Sequence, residues 1–480
     1  MTSSKRTYLL AAALFTSYHT PLIAGEVSPA ASSHDQLDPA QEIQFLKGEL
    51  ARLLTRVESL ETELVATKAQ ANAAIAAADQ TAQAAINASA AAAAAEERAQ
   101  TALAAAEAAP SANFKAAPEL KGAGGWTFKP RGRANLDVGF VSAPDSTGAD
   151  SGFDAEARRI RLGVSGKIPG GFGYKIEADF AENEVALTDA TITYKDDGLT
   201  ITAGQHNNFQ GLDEITSSLN SSFIERSAFT DAFGFERRLG LSAQYDSGDF
   251  AIMGGVFADN SEDLPNNNWS LDGRVVYAPK SGSTQLHFGG SFHHNNLGSG
   301  SEIRYRQRPL VHFTDNRFVN TGRFSANSET GIGLEAAAIH GPFHIALEGY
   351  SQMVDRPGVL ADPDFFGGSA EIGIFLTEGD SRGYKIGKFD RVKPKKPVGK
   401  GGIGAVQANV RYDHLDLTDA GIIGGTQDSF QASLIWTFNN YSRLLLNYAL
   451  LSYDNAAFPT ASGDTSYDVN VMGLRAQVDF

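Results

Sequence analysis

Arg159 and Arg161 stand two residues apart in a segment where Ile160, Leu162 and Val164 alternate with polar residues. In an extended chain successive side chains point to opposite faces, so both guanidiniums share one polar face. A guanidinium stays charged and donates paired hydrogen bonds to an oxyanion. On the wall of an aqueous passage it would offset part of an anion's lost hydration without trapping the ion. Arg304, Arg306 and Arg308 repeat the two-residue spacing, which an extended chain would line up as a ladder. Arg237-Arg238 form another basic cluster, and Lys393, Lys395, Lys396 and Lys400 a further one; Lys175 lies on the polar face of its own alternating segment, beside Glu177 and Asp179. Each has a plainer reading: ion pairs with Glu214, Glu225, Asp231 and Glu236, an exposed loop face for the Arg304 group, and solvation or anionic lipid for the lysines.

Nothing beside these residues suggests catalysis. Cys is absent, which removes thiolate chemistry, thiolate metal sites and disulfides. His293-His294 reads as a solvent-exposed pair at a strand end rather than a metal site. Gly399 to Gly404 lacks the strand–loop–helix setting of a phosphate loop, and no nucleophile–base pair is evident. The expectation is a protein that is not an enzyme and that needs neither cofactor nor metal.

The elements that must position the arginines are strands. After Trp126 apolar and polar residues alternate in about sixteen segments, the first near 133–140 and the last near 469–480. Many are about 8–11 residues long, enough for a tilted membrane crossing. Tight turns at Pro169-Gly170-Gly171, Asp196-Asp197-Gly198, Asp246-Ser247-Gly248 and Gly341-Pro342 alternate with longer loops. Aromatic residues gather near the ends of the apolar faces, as in a membrane girdle. This predicts an all-β membrane protein, an antiparallel transmembrane β-barrel of about sixteen strands, over 126–480; a barrel of that size leaves a water-filled lumen. Three long interruptions, 205–237, 294–330 and 377–403, are expected to fold inward and narrow it. Strand parity puts the first two outside the cell and the third in the periplasm.

Residues 1–24 read as a secretory signal peptide, with Lys5 and Arg6 before a short apolar run. From Ile43, the residues Leu46, Leu50, Leu53, Val57, Leu60 and Leu64 keep alternating three- and four-residue spacings, a coiled-coil seam. The seam weakens into alanine, so 40–109 is expected to be a periplasmic helical stem, trimerising or simply a spacer, with 110–125 as linker. Net charge is −16, which argues against nucleic acid as a partner. Divided at Pro110, the first part carries 7 basic and 12 acidic residues and the remainder 33 and 44. The barrel is acidic overall, so ion preference depends on which charges are local to the pore.

Several co-ordered motifs in 126–480 resemble the phosphate-selective porin O/P family. They include Arg158-Arg159-Ile160-Arg161-Leu162 followed by Tyr174-Lys175-Ile176-Glu177, and Gly204-Gln205 leading to Thr216-Ser217-Ser218 and Glu225-Arg226-Ser227. Asn320-Thr321-Gly322-Arg323-Phe324, the run from Arg391 to Pro397 and the terminal Gly473 to Phe480 fit as well. The resemblance implies a homotrimer of sixteen-stranded barrels in the outer membrane, among membrane lipids and lipopolysaccharide, taking up small anions such as phosphate. It implies that Arg159 and Arg161, joined by Arg158, line the ion path, and that a constriction loop within 205–237 carries Thr216, Ser217, Ser218, Glu225 and Arg226. Phosphate-specific members place a lysine just after Thr-Ser-Ser, whereas here Leu219 follows Ser218 and 205–237 contains no Lys. A general or cation-preferring porin, and a tether from outer membrane to cell wall through the stem, are the competing expectations. The terminal Phe480 shares the apolar face of Met472, Leu474, Ala476 and Val478, which resembles the end signal of outer-membrane barrels.

Overall fold

Period-two alternation becomes sixteen antiparallel strands in a computed structural model that describes residues 39–107, 117–122, 125–181, 184–263 and 267–480. The signal segment 1–24 and most of the linker 110–125 lie outside the described residues. The chain divides into two units at Ala112.

In the first unit, helix α1 runs from Pro39 to Glu107. Proline suits a first helical position because its missing N–H would be unpaired there anyway, and the alanine-rich sequence favours helix over its whole length. Sixty-nine residues span about 100 Å at about 1.5 Å each. The seam residues Ile43, Leu46, Leu50, Leu53, Val57, Leu60 and Leu64 are all exposed. Among the described residues no helix is long and apolar enough to cross a membrane.

The second unit is the barrel. Its first eight strands are β1 (Thr127–Ser142), β2 (Gly152–Ile168), β3 (Phe172–Asp179), β4 (Ala186–Asp196), β5 (Leu199–Asn207), β6 (Arg237–Ser247), β7 (Phe250–Phe257) and β8 (Trp269–Tyr277). The others are β9 (Thr284–Asn296), β10 (Ser328–His340), β11 (Phe343–Asp355), β12 (Asp364–Phe375), β13 (Ala405–Asp419), β14 (Ile422–Asn439), β15 (Ser442–Asp454) and β16 (Tyr467–Asp479). Each pairs with the next, and β1 pairs with β16 from Arg133↔Asp479 to Ser142↔Asn470, so the sheet closes. Closure removes the unpaired edges that a membrane would not tolerate. Phe480 extends it: its N–H donates to Gly132 O at 3.0 Å, and its carbonyl O accepts from Gly132 N at 3.2 Å. Its ring occupies the space a Cβ on Gly132 would need.

Outward faces are apolar. On β16, Met472, Leu474, Val478 and Phe480 are exposed, while Arg475, Gln477 and Asp479 point inward and are buried. Two aromatic rows bound the apolar band, as in membrane barrels. One includes Phe172, Phe250, Tyr277, Phe343 and Phe480; the other includes Phe140, Trp269, Phe366, Phe430 and Tyr448. The short turns lie at the first row. Asp197-Gly198 illustrates their chemistry, since both residues have positive φ, 36° and 81°, the type I′ geometry that matches hairpin twist.

Three long connections fill part of the lumen. Loop 208–236 contributes Phe229, Phe233 and Phe235; loop 297–327 contributes Tyr305, Leu310, Val311, Phe313 and Phe318; and they share one core with Tyr350, Phe365, Leu415, Tyr453 and Val469 of the wall. Gly367 and Gly139 make this approach possible, because a Cβ at either would overlap Phe229 or Phe313. The core lies mainly on the β11–β16 side, and the cavities beside Arg159 and Arg161 lie toward β1–β7. Segment 376–404, on the short-turn side, also reaches inward: Tyr384 Oη lies 2.7 Å from His287 Nδ1, and Gly387 O accepts from Arg274 Nη2 at 2.7 Å.

The histidine pair departs from expectation. His293 is buried and lies 2.8 Å from Asp272 Oδ1, because it falls on the inward phase, and His294 faces outward beside Thr330 Oγ1 at 2.9 Å.

Candidate functional site

Loop 208–236 is held to the wall by charged side chains from the strands. Glu348 accepts from Leu212 N at 2.7 Å and Asp213 N at 2.9 Å, and Asp413 accepts from Ala228 N at 2.9 Å. Each carboxylate thereby satisfies backbone donors that begin a short helical turn. Arg443 donates to Ser221 O and Ser218 O, at 2.9 and 3.0 Å. Arg475 donates to both oxygens of Asp137, at 2.7 and 2.6 Å, and also to Ile224 O and Glu225 Oε1. Within the loop, Arg226 donates to the carbonyls of Asp213, Glu214 and Thr216. The loop shape is therefore set by guanidiniums buried against carbonyls, where an unmade hydrogen bond would be costly.

Three neighbouring chambers lie beside this loop. The outer one, about 510 Å³, is lined by Arg238, Arg304, Arg306, Arg308 and Arg317 with Asp231, Glu236 and Glu329. It shares Asp231, Glu236 and Arg308 with the middle one, about 300 Å³. The middle and inner chambers share Arg159, Arg161, Glu214, Arg226 and Arg237, so four arginines and one glutamate ring the junction. The inner chamber, about 450 Å³, adds Arg131, Arg133, Lys175, Lys388 and Asp189, which makes eight basic side chains against two acidic ones. Other acidic residues of the barrel lie away from these chambers, among them the exposed Asp145, Asp315, Asp362, Asp454 and Asp464.

The sequence-predicted residues take distinct places. Arg159 and Arg161 meet at the junction. Arg161 Nε donates to Asp179 at 2.7 Å, and Arg159 Nη2 lies 3.8 Å from Glu225. Arg158 is not at a strand start: the pairing slips there, with Asn135 opposite Arg159 and Leu136 opposite Ala157. Such a bulge re-aims a side chain, and Arg158 reaches Glu225 at 3.1 Å. Lys175 pairs with Asp189 at 2.7 Å on the inner chamber. Arg238 pairs with Asp259 at 3.1 Å and borders only the outer chamber of the three, while its neighbour Arg237 reaches the junction. Arg304 and Arg306 are exposed, Arg308 is half-buried, and Tyr305 and Gln307 between them are buried. Thr216 Oγ1 accepts from Phe389 N at 3.2 Å, Ser217 borders the inner chamber, and Ser218 Oγ accepts from Arg133 Nη1 at 3.1 Å. Arg131, Arg133 and Lys388 were not among the expected site residues. The alternation of β1 could have found Arg131 and Arg133, which share the phase of Asn135. Among the described residues no three His, Asp or Glu side chains converge as a metal site.

Loop carboxylates respond differently to this field. Burial alone would raise Glu225, but Arg158, Arg159 and Arg475 hold it well below the usual carboxylate range. Burial raises Glu214 against the opposing charge of Arg226. Glu236, exposed on the rim shared by outer and middle chambers, is raised to about 7 by partial desolvation of its carboxyl, which Arg238 does not offset, with Asp263, Asp259 and Glu329 adding to the rise. Below that pH the carboxyl is neutral and the rim loses a negative charge. Anion preference should therefore be greater at about pH 6 than at about pH 8. Glu236→Gln should hold the low-pH value throughout; a wild-type reversal potential that stays constant across this range would contradict the assignment.

A closed antiparallel barrel with girdled apolar faces and a polar interior defines an outer-membrane channel of the porin type. The family described as phosphate-selective porin O and P matches residues 128–480, and the chain belongs to that family. It is similar to an uncharacterized protein of Caulobacter vibrioides, 44% identical over 487 residues that cover 97% of this chain and 96% of the relative. Similar solved structures include an anion-selective porin from Comamonas acidovorans, 12% identical over 74% of this chain and 100% of that one, with a TM-score of 0.48. Another is the outer membrane channel DcaP of Acinetobacter baumannii, 14% identical over 75% of this chain and 99% of that one, with a TM-score of 0.46.

Proposed function

We propose that this outer-membrane channel passes small anions, phosphate among them, by passive diffusion. The observation that carries this reading is the boundary of the middle and inner chambers, where Arg159, Arg161, Arg226 and Arg237 line both and Glu214 is the one carboxylate common to the two. Arginines at a constriction offset lost hydration for an oxyanion and raise the desolvation barrier for a cation. Leu219 after Ser218 favours a broad anion preference over strict phosphate specificity, because the loop offers hydroxyls and backbone there but no lysine. The test is the reversal potential of single channels in a planar bilayer under a salt gradient. Anion preference is expected; cation preference would overturn the reading, and absence of conductance would favour a tether.

The channel works as a homotrimer whose α1 helices associate through the seam from Ile43 to Leu64, as a periplasmic stem. The exposed seam supports this, because a leucine stripe gains by burial on identical partners. Deleting 40–109 is expected to leave single-channel conductance unchanged while lowering the temperature at which trimers separate on gels. Unchanged trimer stability would make the helix a spacer.

A further inference from the structure

The short-turn side carries a feature that the ion path does not use. Segment 396–404 folds as a hairpin over the end of β14: Val398 N donates to Phe438 O at 2.8 Å, and Gly404 N to Lys396 O at 2.9 Å. The indole N–H of Trp436 donates to Ile403 O at 2.7 Å, which pins the hairpin to the outward aromatic row. Val398, Ile403 and Trp436 are 43%, 65% and 43% exposed. Lys395, Lys396 and Lys400 are exposed around them; of the neighbouring carboxylates, Glu378 lies 3.6 Å from Lys396 with both side chains largely in solvent, and buried Asp380 accepts from the Lys395 backbone N at 2.7 Å. Three exposed cations against one weakly engaged anion and one buried carboxylate leave a positive ledge.

From this juxtaposition we infer that the hairpin 396–404 is a binding site for an anionic phospholipid of the leaflet on the short-turn side, which in outer-membrane barrels faces the periplasm. The argument is one of two-part chemistry. Exposed Val398, Ile403 and Trp436 continue the apolar band and want acyl chain, since exposed apolar area is unfavourable in water. The lysines beyond them want negative charge, and basic residues at a membrane surface attract anionic headgroups. A free anion satisfies only the lysines, and a zwitterionic lipid only the apolar groups. Lys, a flexible point charge on a long stem, suits a mobile phosphodiester better than a fixed bidentate partner. The turn is also rigid where it must present these groups, with Pro394 and Pro397 flanking Lys395 and Lys396.

The test is native mass spectrometry of the full-length protein in detergent with equal amounts of phosphatidylglycerol and phosphatidylcholine. Wild type should retain phosphatidylglycerol in preference, by roughly fivefold for each lysine engaged. The triple variant Lys395→Gln, Lys396→Gln, Lys400→Gln should fall to parity. Inorganic phosphate should not displace the bound lipid. Equal retention of the two lipids by wild type would overturn the inference without reference to any variant. Displacement by inorganic phosphate would also overturn it, because the site would then bind a free anion. Channel conductance is not the readout, so this result stands or falls separately from ion selectivity.

Discussion

Replacing Arg159 and Arg161 together with Ala is expected to lower the anion-to-cation permeability ratio by roughly tenfold or more. A unit charge about 5 Å from the ion contributes about 0.8 kcal/mol even in a water-like medium, or about fourfold in permeability, and more where the wall excludes water. The two positions are not equivalent. Arg161 is the principal partner of Asp179, at 2.7 Å, and also lies 3.6 Å from Glu177, so its loss exposes negative charge at the junction. Glu225, the partner of Arg159, keeps Arg158 and Arg475 at 3.1 and 2.8 Å. Arg161→Ala alone should therefore shift the reversal potential further than Arg159→Ala alone. The double Arg→Lys variant keeps both charges and should stay within about twofold of wild type if charge rather than the guanidinium fork sets selectivity. A double-Ala channel that conducts with wild-type reversal potential would remove these residues from the ion path.

How much of this was legible in the sequence depends on which side of the membrane band a residue occupies. Within the band, apolar means outward, and that rule finds the cores of all sixteen strands. Beyond it on the loop side the phase reverses. On β13, Leu415 and Leu417 point inward and are buried, while His414 and Asp416 face out. On β15 and β16, Leu451, Tyr453, Val469 and Val471 are buried, while Ser452, Asp454, Asp468 and Asn470 face out. Inside the barrel at this height lies the apolar core built by the two loops, and outside lies a polar surface. A reading keyed to apolar-outward alternation stops at the reversal, whereas β13 runs on to Asp419 and β14 begins at Ile422, joined by Ala420-Gly421. The site suffers in a different way. Arg159 and Arg161 follow from simple alternation, but Arg158 reaches Glu225 through a bulge that no spacing announces. Arg475 reads as one more lumen arginine, and only the fold of loop 208–236 shows that it grips the loop instead of facing the ion.

That grip makes Arg475→Ala the substitution with the largest structural consequence. Its side chain and that of Asp137 are wholly buried, and removing one leaves the other an unpaired charge in a dry site, which costs about 3–5 kcal/mol. The backbone ladder around the barrel does not run through these side chains, so the barrel should still form and still migrate as a heat-modifiable species, but with a lower unfolding temperature. Loop 208–236 loses its donors to Ile224 O and Glu225 Oε1 and should swing from the wall, giving larger and noisier single-channel conductance with weaker ion preference. Adding Asp137→Asn separates the two effects. It removes the stranded charge and should restore part of the unfolding temperature, yet it cannot restore the loop contact, so conductance should stay high. Acid should not mimic the variant, because Glu225 is held well below the ordinary carboxylate range and keeps its charge as pH falls through that range. Its contribution to loop anchoring is present above its ordinary titration and is lost only as pH falls through the depressed value. A selective, quiet Arg475→Ala channel of wild-type conductance would show that Glu348, Asp413 and Arg443 suffice to hold the loop without it.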